Sequence, residues 1–87
     1  MIIMETIILW DVDIERIHTC ETAIYQTLKK LNISGTVFIN SEAPLISRYQ
    51  LWDRLPTLEI RGSFLSLNPG KPFTTQQLNR LFLKIFD

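Results

Sequence analysis

Arg54-Leu55-Pro56-Thr57-Leu58-Glu59-Ile60-Arg61-Gly62-Ser63-Phe64-Leu65-Ser66-Leu67 is the stretch whose reading decides the fold. From Thr57 to Arg61 polar and apolar residues alternate, Leu58 and Ile60 on one side and Thr57, Glu59 and Arg61 on the other. A period of two marks a half-buried strand. Gly62-Ser63 reads as the turn, because glycine reaches positive φ without steric cost. Phe64 to Leu67 returns as the partner strand, and Asn68-Pro69-Gly70 ends it. Pro56 stands at the strand start, where a missing N–H costs least. The residues alone leave the Leu55–Pro56 bond open to either isomer, since trans is favoured by only about 0.5–1 kcal/mol.

Upstream, Thr6 to Trp10 is a short apolar run rich in β-branched residues, which suits a central strand covered on both faces. Asp13 is a good helix cap and Glu15 favours the positive end of a helix dipole. Ile14, Ile17, Ile24, Leu28 and Leu31 follow at helical spacing, with Cys20, Glu21 or Ala23 filling the gap. Lys29 and Lys30 belong in a last turn and Asn32 is a stop, which predicts a helix over 14–32. Gly35 opens a second strand, Thr36 to Asn40. Ser41 is the expected cap of a short helix with Pro44 in its first turn, running to about residue 50, and Leu51 to Arg54 is a loop. Downstream, Pro69 to Pro72 is a rigid turn. Thr74-Thr75-Gln76-Gln77 is a capping box, and Leu78, Leu81, Phe82, Ile85 and Phe86 form the stripe of a helix over 74–86. The order is β-α-β-α-β-β-α in a single domain, 1–87. An α/β architecture follows: a four-stranded mixed sheet packed against three helices, the first two strands parallel and the last two a hairpin.

Composition narrows the function classes. An apolar fraction of 46% supports a packed core, and nine acids balance nine bases. The charges are dispersed, so a phosphate-tracking nucleic-acid surface has no support. Zero net charge leaves self-association open. The single cysteine rules out an intramolecular disulfide within these residues. Met1 to Glu5 has no basic region before its apolar residues, so neither a signal peptide nor a membrane span is expected, and a cytoplasmic location is the default.

Few residues carry chemistry. Cys20 is either a nucleophile activated by a helix N-terminus and His18, or a half-buried helix cysteine acting as a small hydrophobe. His18 and Cys20 are too few for a metal site, and their spacing separates them on a helix. Asp11 and Asp13 are read as capping and solvated groups rather than an acid–base pair. Ser41 and Ser47 have no base at a recognisable spacing. Trp10 reads as core, whereas Trp52 either folds back or stands exposed as a contact anchor.

With Leu55-Pro56-Thr57-Leu58-Glu59-Ile60 leading into its third strand, the chain resembles the thioredoxin fold, in particular the small, glutaredoxin-sized thioredoxin-like proteins, over essentially its whole length. The resemblance implies a cis Pro56 beside the start of the first helix. It also implies a Cys-x-x-Cys motif there, and here the chain departs. The two cysteine positions fall on Ile14 and Ile17, or on Ile17 and Cys20. Neither register holds a pair, so the two-thiol exchange, which needs one thiolate to attack and one to resolve, is closed to one chain. The resemblance implies a non-catalytic interaction module with a degenerate active site. Its apolar groove would be lined by Ile14, Ile17, Leu55, Pro56 and Thr57, with Trp52 at its edge, and would receive a protein partner. Two alternatives stand beside it. One is a monothiol protein using Cys20 with glutathione or a protein thiol. The other is a structural homodimer or complex subunit. No metal or cofactor is expected for the lead reading.

Overall fold

Alternating and helical apolar periods resolve into eight elements in the computed structural model, which describes residues 4–86. They are β1 (Glu5–Trp10), α1 (Ile14–Lys30), β2 (Gly35–Asn40), α2 (Ala43–Arg48), a 3-10 turn (Trp52–Arg54), β3 (Thr57–Ile60), β4 (Ser63–Leu65) and α3 (Thr75–Ile85). The four strands form one mixed sheet in the order β2-β1-β3-β4. β2 runs parallel to β1, while β3 is antiparallel to both β1 and β4. The chain is therefore an α/β domain with a four-stranded mixed sheet and three helices. The Leu55–Pro56 peptide bond is cis.

Local chemistry explains the element ends. Asp13 caps α1 by accepting the Arg16 N–H. α1 stops at Lys30, two residues before the expected end, and Asn32 turns the chain with φ 58°. Thr74 and Gln77 form the capping box of α3. Two expectations are corrected. The hairpin turn is Arg61-Gly62 rather than Gly62-Ser63, because Ile60 pairs directly with Ser63. Both turn residues take positive φ, 51° and 81°, as a two-residue hairpin loop requires if its twist is to match the strands. Arg61 holds that conformation with a side chain anchored on the Glu5 carboxylate at 2.9 Å, the Ile85 carbonyl at 3.1 Å and the Phe86 ring. Ser41 does not cap α2 either. Its hydroxyl donates to the Asp11 carbonyl at 2.7 Å, and Glu42 takes the cap position without a side-chain bond.

The two sheet faces are covered unequally. On one, Ile7, Leu9, Leu58 and Ile60 pack under Cys20, Ile24 and Leu28 of α1 and Leu78 and Phe82 of α3. On the other, Trp10 packs with Ile46, Leu51 and Leu55, with Ile8, Leu45 and Phe64 at the margin. Trp10, Tyr49 and Phe64 form an aromatic group there, with ring centroids 5.5 to 6.1 Å apart. The Trp10 indole N–H donates to Glu59 at 2.9 Å. α2 has six residues, roughly 9 Å of helix. A six-residue strand is roughly 20 Å long. The helix therefore covers only the Trp10 end, and Thr6 and Phe38 on the same face are exposed. β1 is thus covered on both faces only at its C-terminal end, not along its length as its composition suggests.

Among the described residues no helix is long and apolar enough to cross a membrane.

Candidate functional site

Trp10, the last residue of β1, pairs with Thr57, the first of β3. That register gathers Asp11–Ile14 and Trp52–Pro56 at one end of the sheet. Asp13 accepts the Arg16 N–H at 3.0 Å and so fixes the first turn of α1 at Ile14. Cys20 lies well inside the helix, beyond the reach of its N-terminal dipole, which fades within the first turn.

The centre of this end is an ion pair. The Asp11 side chain is fully buried. Its Oδ2 accepts from Arg16 Nε at 2.7 Å and its Oδ1 from Arg16 Nη2 at 2.6 Å. The same Oδ1 accepts the Val12 N–H at 2.8 Å. Such forked, charge-assisted bonds are the strong ones. The hydrogen bond to Asp11 holds the Arg16 guanidinium above its ordinary pKa, against a smaller opposing effect of burial. Nη1 of Arg16 also points at the Gly70 carbonyl, 3.4 Å away. Asp11 and Asp13 are therefore not a catalytic carboxylate pair: one is neutralised by Arg16 and the other caps a helix.

The loop from Asn68 to Pro72 is tied to the residue before the proline. Gly70 N–H donates to the Leu55 carbonyl at 2.8 Å. The hydroxyls of Thr57 and Ser66 both converge on the Arg54 carbonyl.

The residues expected to line one groove separate into two groups. Ile14 is 81% exposed and Trp52 48% exposed, the latter donating its indole N–H to Ser47 Oγ at 2.7 Å. Leu55, Pro56 and Thr57 are buried, and Ile17 is half-buried against the α1–α3 core. An open apolar groove formed by the side chains of Ile14, Ile17, Leu55, Pro56 and Thr57 is thereby corrected. Leu55 packs into the cluster with Trp10, Ile46 and Leu51, and the Asn68–Pro72 loop takes up its carbonyl. The exposed apolar side chains of Asp11–Ile14 and Trp52–Pro56 are Val12, Ile14 and Trp52.

Of its two readings, Cys20 takes that of a small hydrophobe inside the helix. Its side chain is fully buried, and Sγ accepts the Phe73 N–H at 3.4 Å. Burial raises the thiol pKa, and the Phe73 N–H only partly offsets this. A monothiol partner for glutathione needs an accessible thiol with a lowered pKa, and Cys20 has the reverse of both. His18 is exposed while Cys20 faces the core, so the two do not cooperate. Among the described residues no three His, Cys, Asp or Glu side chains are grouped as metal ligands.

A cleft of about 260 Å³ beside Arg16 is lined by Asp13, Glu15, Thr19, Gly70 and Pro72. A larger polar groove of about 510 Å³ lies between the second half of α1 and the start of α3, away from this end. The Asp11–Arg16 pair is the feature that the residue patterns missed. Its one sequence signal is an acid closing an apolar strand, followed five residues on by an arginine in the first helical turn.

The chain matches no protein-family model, no curated protein and no solved structure.

Proposed function

We propose that the chain is a thioredoxin-like domain without two-thiol chemistry, acting by protein contact at the start of α1. The family reading is supported by the element order and by a proline that leads into β3 beside the end of β1. The observation that carries the function is Ile14. It occupies the helix start, where the family keeps a reactive cysteine, and it is 81% exposed. Burying such a side chain yields about 1.5–3 kcal/mol, which a partner's apolar surface would supply. Trp52, exposed at the same end, is the residue type that most often anchors an interface. Contact here runs through side chains rather than through strand addition at the proline, because the Leu55 carbonyl already accepts from Gly70.

The test is a selection of peptides from a random display library against the folded chain, followed by calorimetric titration of the best binders. Apolar peptides are expected to bind with Kd in the range of about 1–100 μM. Ile14→Asp is expected to abolish binding without changing the melting temperature. Failure of any peptide to bind, or equal binding by Ile14→Asp and Trp52→Ala, overturns the reading.

A further inference from the structure

The peptide groups of β2 point to a second surface. In the β1–β2 ladder, Glu5 N–H donates to the Ser34 carbonyl at 2.8 Å and Asp11 N–H to the Asn40 carbonyl at 3.2 Å. The register between them is unbroken, from Glu5 opposite Gly35 to Trp10 opposite Asn40. Thr36, Phe38 and Asn40 therefore turn their peptide groups toward β1, and Gly35, Val37 and Ile39 turn theirs outward. The partner that the described residues supply to this outward row is the Tyr25 hydroxyl, which accepts the Val37 N–H at 3.2 Å.

An edge of this kind is a template for another strand. Proteins ordinarily protect such edges with proline, charge, a bulge or brevity. The opposite edge of this sheet, β4, is three residues long. β2 has six residues, with no proline and no charged side chain. It presents Phe38, 56% exposed, on the α2 face and Ile39, 39% exposed, on the α1 face.

We infer that β2 pairs antiparallel with β2 of a second copy of this chain across a two-fold axis, joining two sheets into one. The occupant follows from charge and register. Lys29 and Lys30 stand exposed at the end of α1, separated from β2 by four residues, and Glu42 stands exposed two residues past its end. An antiparallel two-fold sets the start of each strand beside the end of the other, which brings the lysine end of each copy to the end where the other copy carries Glu42. Net charge is zero, so no long-range repulsion opposes association of two copies. The register that best matches apolar side chains sets Phe38 opposite Phe38 of the second copy. Val37 of each copy then exchanges both peptide hydrogen bonds with Ile39 of the other. Aromatic and aliphatic cross-strand pairs of this kind are the favourable ones. The Tyr25 hydroxyl gives up Val37 as the second strand arrives, so it competes with the dimer. This surface is independent of Ile14, Trp52 and the family reading.

Sedimentation equilibrium of the full chain between about 1 and 200 μM tests the pairing. The native chain is expected to pass from monomer to dimer with no larger species, since each copy has one such edge. Ile39→Lys is expected to weaken the dimer about 30-fold or more, as an edge lysine does, with an unchanged circular dichroism spectrum. Tyr25→Phe, which removes the competitor, is expected to tighten it severalfold. Phe38→Cys reports independently of those substitutions. Facing Cα atoms in a non-hydrogen-bonded pair are about 4.5 Å apart, within disulfide reach, so this variant is expected to form an interchain disulfide in air. The inference is overturned by a native chain that stays monomeric while Phe38→Cys stays reduced. It is equally overturned by a dimer that survives Ile39→Lys, or by assembly beyond the dimer.

Discussion

One face of the sheet lies under two long helices and the other under a single short one, and the two faces obey different rules. Beneath α1 and α3, the inward positions Ile7 and Leu9 of β1 and Leu58 and Ile60 of β3 are apolar and buried together with the only thiol, while the β2 edge residue Ile39 stays 39% exposed. Beneath α2, burial is limited to the Trp10 end, where an indole keeps a carboxylate partner and three aromatic rings meet. The difference teaches that helix length, not strand composition, decides how much of a strand is core. Ile7 and Ile8 are adjacent, identical and equally β-prone, yet Ile7 is sealed and Ile8 is half-open.

The closed face is expected to break hardest. Phe82 is fully buried in it, and Phe82→Ala is expected to cost about 3–5 kcal/mol, measured by urea unfolding. A loss of under about 1 kcal/mol would mean that α3 is not packed as described. A smaller effect on the same face appears only in alkali. Burial raises the Cys20 pKa, so the folded state keeps a proton that the unfolded state releases above the ordinary thiol value of about 8.5. Stability is thus complete below that value and falls as pH rises toward the native pKa. Unfolding across pH 7 to 10.5 is expected to show this decline in the native chain and its loss in Cys20→Ala, the comparison resting on slope rather than on absolute stability (values spanning the ordinary thiol pKa by about two units). Identical slopes would place the thiol in water. The smallest effect belongs to the open face. Phe38→Thr is expected to change unfolding free energy by no more than about 0.5 kcal/mol, read at a concentration where the chain is monomeric. A large loss would show that Phe38 is core after all.

Much of this fold was legible in the residues because the signals were local. The alternation from Thr57 to Ile60, the Asp13 cap and the Thr74–Gln77 box each depend on a few neighbours, and each specifies its own element. The turn lies one residue before the Gly62-Ser63 pair because Arg61 takes positive φ with side-chain support from Glu5 and Phe86, which are far away in sequence. The candidate site was less legible for the same reason. Leu55 is buried by Trp10, Ile46 and Leu51, its carbonyl accepts from Gly70, and the Thr57 hydroxyl meets Ser66, all contacts between distant residues that no spacing encodes. Arg16 looks like an ordinary surface cation on the stripe of α1 until β1 is seen to end in a buried carboxylate beneath it.

Trp10 and Trp52 have a practical consequence. The chain carries only two tryptophans, and they sit in contrasting surroundings. One indole is sealed among rings with a carboxylate on its nitrogen, and the other is half in water with a serine on its nitrogen. The molecule therefore contains its own pair of optical reporters. Acrylamide quenching separates the outer emitter from the inner one. The outer one reports on the surface at the Trp52–Arg54 turn, where the proposed partner would dock, and the inner one signals only when the α2 face comes apart.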